Sequence, residues 1–189
     1  MTASGWAEIR QAFAGTLLLA RGDRHGLAYF DPSLDGFWRS FRSALLCYPL
    51  FLLLLVFRVS GGQWQHSGHF RILAAETIAY VISWVAFALI MLRLTRALGR
   101  DDRFFGFMVA YNWSQLPQSL LFVALALLGA ALPARVVEPL SLAAAVAVIA
   151  YEWFIARAAL DVPGSRAALV VAADLVLATV ISRVTDALY

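Results

Sequence analysis

Five long apolar blocks, separated by short polar connections, occupy most of the chain from residue 43 onward. A helix rises 1.5 Å per residue, so about 20 apolar residues cross the hydrocarbon core of a bilayer. The blocks predict spans over residues 43–58, 72–93, 104–128, 139–156 and 167–186. The first is short but strongly apolar, and the fourth opens at Pro139, a favourable first-turn residue. The connections "SGGQ", "LGRDD", "GAALPA" and "DVPGS" carry helix breakers. Connections this short make consecutive helices antiparallel neighbours. The predicted fold class is therefore all-α, a polytopic membrane bundle of five transmembrane helices over 42–189, with no internal repeat and no sizeable external domain.

Residues 1–41 follow a different pattern. Trp6, Ile9, Phe13 and Leu17 recur at three- and four-residue spacing, which predicts an amphipathic helix over 6–20 with Glu8, Arg10 and Gln11 off the apolar stripe. Such a helix can lie on a membrane surface or pack on the bundle. The stretch "AFAGTLLLA" has the length of a signal core, but Glu8 before it and Arg21 after it argue against a cleaved leader. Asp31-Pro32 and Asp35-Gly36 predict turns, and Phe37, Trp38 and Phe41 an interfacial belt entering the first span. Between the first two spans, "GGQWQHSGH" reads as a loop.

Composition strengthens the membrane reading. The chain is 62% hydrophobic, against about 45–50% in ordinary soluble domains. The net charge of +3 and a pI near 9.4 would suit nucleic acid, but the basic residues cluster at the ends of apolar runs, which excludes that partner in favour of the lipid bilayer. All 15 basic residues are Arg. Arg10, Arg21, Arg24, Arg39, Arg42, Arg93, Arg96, Arg100, Arg103, Arg157 and Arg166 fall on one side of a five-span topology, and only Arg58, Arg71, Arg135 and Arg183 on the other. The positive-inside rule then puts the N-terminus in the cytoplasm and the C-terminus outside. The Ala, Leu and Arg bias suggests a bacterial inner membrane. The single Cys47 allows no intrachain disulfide and reads as a small packing group.

Against this background "YNWSQLPQ" (111–118) stands out as a polar interruption of the third span. Pro117 lacks an N–H and leaves the carbonyl of Trp113 without its helical partner, which predicts a kink. Asn112, Gln115 and Ser119 lie on one helix face at spacings of three and four, with Gln118 alongside. Glu152 in the fourth span and Asp174 in the fifth lie at similar depth in the cytoplasmic half, about 8–12 Å in at helical rise. Acids in hydrocarbon cost roughly 2.5–3.5 kcal/mol on insertion scales and turn inward. Asn112, Gln115, Gln118, Glu152 and Asp174 therefore form a predicted intramembrane polar cluster. It either binds a proton, cation or polar solute or bonds helix to helix, with Glu152 free to pair with Arg157 or Arg93.

Other constellations are weaker. His66 and His69 could begin a metal site with Glu76, but a full ligand set is absent, so no metal or cofactor is expected. Arg93, Arg96, Arg100 and Arg103 could contact anionic lipid headgroups or serve as a topology signal. There is no Ser-His-Asp arrangement, phosphate-cradling Gly loop or Cys pair, and no enzyme activity is expected.

A cytoplasmic N-terminus, five closely spaced spans, a charged connection after the second, and Tyr111 followed by Pro117 on the third resemble the Yip-domain family of five-span membrane proteins, over about residues 38–188. The acidic "DLYGP"-type motif of many members is missing. The resemblance implies the fold rather than a GTPase partner. The functional expectation is an interaction or scaffold protein, or an accessory subunit of a membrane complex, bound to other membrane proteins or to itself through small residues in "SLAAAVAVIA". The alternative is a small transporter or channel using the polar cluster.

Overall fold

The computed structural model of the chain describes residues 5–189, which are almost wholly helical with no strand among them. Helix α1 (Gly5–Ala20) leads through a 3-10 turn (Arg24–Tyr29) to a short α2 (Leu34–Ser40) and then α3 (Arg42–Arg58). A second short helix, α4 (Gly61–Ser67), precedes α5 (His69–Ala97), α6 (Phe104–Ala131), α7 (Ala134–Leu160) and α8 (Gly164–Asp186). Five stretches are long and apolar enough to cross a membrane: Leu34–Arg58, His69–Ala97, Asp101–Ala131, Ala134–Leu160 and Gly164–Asp186. Their number and order match the five apolar blocks.

The helix ends differ from the apolar boundaries for local reasons. Helix α7 starts at Ala134, after Pro133 in extended conformation, so Pro139 lies inside it rather than at its first turn. Pro139 is exposed near the helix start, where the unbonded carbonyl it creates is least costly. The stretch read as a loop is helix α4. Ser60 accepts from the Gln63 N–H while the Gln63 side chain accepts from the Ser60 N–H, a capping box that starts the helix. Asp35-Gly36 is not a turn either. Ser33 caps α2 and both residues lie in its first turn.

The buried face of α1 is also not the one its large apolar residues mark. Ala12, Gly15, Thr16 and Leu19 are buried, while Trp6 and Leu17 point outward. Small residues win this face because neighbours come very close. A Cβ on Gly15 would stand 2.7 Å from Tyr29 Cβ, and one on Gly26 would stand 2.5 Å from the Gly15 carbonyl oxygen. Only glycine permits this contact between α1 and the turn that follows it. Charged groups complete the docking. Glu8 accepts from Arg39 Nε at 3.1 Å and Arg42 Nη1 at 2.9 Å, and Arg39 also reaches Asp31 at 2.5 Å. Phe37, expected at an outer belt, is instead buried against Phe104 and Phe105, whereas Trp38 is exposed.

Helix α6 occupies the centre and packs on α1, α2, α3 and α7, while α8 lies between α5 and α7. The main core joins Phe107, Met108, Ala110, Met91, Ile155 and Leu160. For helices as apolar as these on their outer faces, close fit and polar bonds help decide which faces meet. The close α6–α7–α8 contacts accordingly involve buried Ala110, Ala156, Ala159 and Ala167. Helices α3 and α5 meet through side chains, in an aromatic layer of Tyr48, Phe51 and Tyr80. Tyr80 OH donates to the Ala44 carbonyl at 2.7 Å, and Tyr48 OH lies 2.9 Å from Thr77 Oγ1.

Candidate functional site

The most distinctive space in the bundle is a cavity of about 240 Å³ between α3, α5, α6 and α8. Asn112, Gln115 and Ser119 face it from α6, as their spacing predicts, and Asp174 faces it from α8. Cys47, Tyr80, Ser83 and Tyr111 add further polar groups, and Phe87, Trp84 and Leu177 close the apolar sides. Among the described residues no Arg or His lines it.

Each group is placed by its helix. Asn112 is buried and donates from Nδ2 to Ser40 Oγ at 2.8 Å. Ser40 Oγ in turn donates to the Phe37 carbonyl at 2.7 Å, so α2 holds the Asn112 amide in place. The wall hydroxyls of Tyr80 and Ser83 donate to the Ala44 and Tyr80 carbonyls, which leaves their lone pairs directed elsewhere. Tyr111 stacks on Phe87 at 4.2 Å between centroids, with its phenol beside Asp174.

The five predicted cluster residues are near one another but do not share one chamber. Asn112, Gln115 and Asp174 line the cavity; Gln118 and Glu152 stand behind it, toward α7. Gln118 Nε2 donates to Ser114 Oγ at 3.3 Å, and Glu152 lies beside both Gln118 and Gln115. Gln115 thus joins the two halves. Glu152 pairs with neither Arg157 nor Arg93 among the described residues; Arg157 sits 5.3 Å from the centroid of the Trp153 ring instead. The helices outrun the apolar blocks, so these groups stand further from the helix ends than from the block ends. Glu152 lies eight residues from the end of α7 and Asp174 ten from the start of α8, about 12 and 15 Å. Pro117 lies within α6, and the helix continues through it to Ala131.

The remaining candidates scatter. Trp64 stacks on His69 at 5.4 Å, and Glu76 is committed to Arg58 and Tyr189, so it is not a third ligand beside the two histidines. Among the described residues no group of three His, Cys, Asp or Glu side chains could hold a metal. Of the four predicted headgroup arginines, Arg93 and Arg96 are exposed, Arg103 pairs with Asp102 at 3.4 Å, and Arg100 donates to the Asp161 carbonyl at 2.8 Å.

Cys47, Tyr80 and Ser83 were not anticipated as cavity residues. Cys47 lies in an otherwise apolar block, whereas Tyr80 and Ser83 share a helix face with Glu76, a spacing that could have marked them; the α3–α6 and α5–α8 packing turns these groups inward. Comparison with protein-family models, curated proteins and solved structures finds no match to the chain.

Proposed function

We propose that this is a five-span integral membrane protein that takes up a proton or a small cation in the cavity beside Asp174. The observation that carries the reading is a carboxylate facing a polar chamber with no basic side chain in its lining among the described residues. A second carboxylate, Glu152, stands behind Gln115. An uncompensated acid at this depth is costly. A proton or cation relieves that cost, and hydroxyl and amide oxygens are suitable ligands for a hard cation. The eleven-to-four division of Arg supports an N-terminus in the cytoplasm and a C-terminus outside, in a bacterial inner membrane. The five-span pattern, with Tyr111 and Pro117 on the third span, supports kinship with the Yip-domain family at the level of fold.

Reconstitution in liposomes tests the reading. Uptake of protons, Na⁺ or K⁺ should be saturable, lost in Asp174→Asn and weakened in Glu152→Gln, with both variants folded. Absence of any saturable uptake or binding by the unaltered protein sinks it.

A second reading, an interaction or scaffold role, is favoured by one observation. Ala143, Ala147 and Ala150 form an exposed stripe on α7, where another helix could approach closely. A strictly monomeric particle in mild detergent, free of co-purifying partners, counts against it.

A further inference from the structure

A second polar cavity, of about 570 Å³, opens at the end of the bundle that carries the N-terminal segment. Three arginines from distant parts of the chain line it: Arg24 in the turn after α1, Arg100 between α5 and α6, and Arg157 in the last turn of α7. One carboxylate, Asp161, accompanies them. Asp161 ends α7 in the left-handed conformation, at φ 52°. That turn directs its carbonyl to Arg100 Nη2 at 2.8 Å and brings its carboxylate within 3.8 Å of Arg24. Asp161 thus braces two guanidinium groups while neutralising only one charge. Arg157 rests on Trp153 and has no carboxylate partner among the described residues. The lining therefore keeps an excess of two positive charges.

The neighbouring cavity of about 730 Å³ at the same end makes the contrast clear. Its Arg39 and Arg42 are balanced by Glu8 and Asp31, so it has no excess charge. Beside the three arginines, Phe154, Ala158, Val162 and Pro163 form an apolar wall. Guanidinium forks match phosphate oxygens, and an apolar wall next to them suits the glycerol and upper acyl region of a lipid.

We propose that Arg24, Arg100 and Arg157 form a phosphate site whose occupant is the headgroup phosphate of an anionic phospholipid. The site is independent of the cation cavity and rests only on the five-span topology. It selects Arg100 from the four arginines predicted to meet headgroups, and adds Arg24 and Arg157, which sequence position alone does not group with it.

The test uses the full chain in detergent, titrated with phosphatidylglycerol, phosphatidylcholine or inorganic phosphate and read by native mass spectrometry and thermal unfolding. Phosphatidylglycerol should bind saturably and phosphatidylcholine weakly. Arg157→Gln and Arg24→Gln should each weaken phosphatidylglycerol binding about fivefold without lowering the unfolding midpoint in the lipid-free state. Arg93→Gln and Arg96→Gln, which remove the same charge from the same end outside the cavity, should leave binding unchanged. Saturable inorganic phosphate binding, lost in the Arg157 and Arg24 variants, would keep the site and assign it a soluble phosphate instead of a lipid. Equal losses in the Arg93 and Arg96 variants, or no saturable binding of either phosphate source, would overturn it.

Discussion

Glu76 and Asp174 are both acids on long apolar helices, yet their surroundings differ completely. The Glu76 side chain is only 4% exposed, and its carboxylate is met by the Arg58 guanidinium and the Tyr189 hydroxyl. Arg58 extends the cluster to Asp186 at 3.7 Å. Asp174 faces a chamber lined by neutral side chains, and among the described residues no arginine pairs with it. Glu76 has its charge answered by the chain and serves to join α3, α5 and the C-terminal residues. Asp174 has its charge unanswered, which is the usual condition of a group that receives something from outside. The difference separates a structural acid from a candidate functional one without any appeal to depth alone.

The largest expected effect comes from breaking the answered charge. Arg58→Ala leaves the Glu76 carboxylate buried with Tyr189 as its remaining partner, and should lower stability by about 2 kcal/mol in an unfolding titration. The half-exposed position of Arg58 keeps this below the loss seen for fully buried pairs. Replacing both partners, Arg58→Leu with Glu76→Leu, should restore most of that stability. If the double variant is no better than the single one, the pair is not the source of the effect. Next in size is Asn112→Ala. Loss of its bond to Ser40 should cost about 1 kcal/mol by the same titration. Asp174→Asn should change stability by less than about 0.5 kcal/mol while removing cation or proton uptake. Unfolding of Asp174→Asn on the scale of Arg58→Ala would erase the distinction between the two acids.

The smallest effect concerns acid at the docked N-terminal segment. Asp31 accepts hydrogen bonds from Ser33 and then from Arg39, which holds its pKa below the ordinary 3.8. A carboxylate with a depressed pKa favours the folded state above its unfolded pKa, and that contribution disappears as pH falls through the lower folded value. Unfolding midpoints should therefore drop slightly more below pH 4 in the unaltered protein than in Asp31→Asn, by a few tenths of a kcal/mol for so exposed a pair.

Much of the architecture is legible from run length. Five apolar blocks become five helices because 20-odd apolar residues admit few other states in lipid. The α6 face of Asn112, Gln115 and Ser119 is legible for a related reason, since a polar residue in an apolar run reports its own direction. Helix ends are less so: Pro133 rather than Pro139 precedes α7, and the Ser60–Gln63 capping box is easily lost among the glycines of "SGGQ". Neighbours are the least legible. Helix α3 has no polar stripe, and the Glu76, Tyr80 and Ser83 face of α5 does not name its partner, so neither tells that α3 packs on α6 and α5 on α8. Consequently Cys47, Tyr80 and Ser83 join the cavity unannounced, and Gln118 and Glu152 fall behind it. On α1 the large side chains mislead, because the contact demands the smallest residues available.

Asn112 serves two places at once, since its amide holds Ser40 of α2 while the same side chain borders the chamber containing Asp174. Anything that enters the chamber and competes for that amide must loosen the grip on the N-terminal segment. By thermodynamic reciprocity, whatever tugs that segment away changes the affinity within by an equal factor. Asn112 is thus a side chain that α2 and the chamber hold in common.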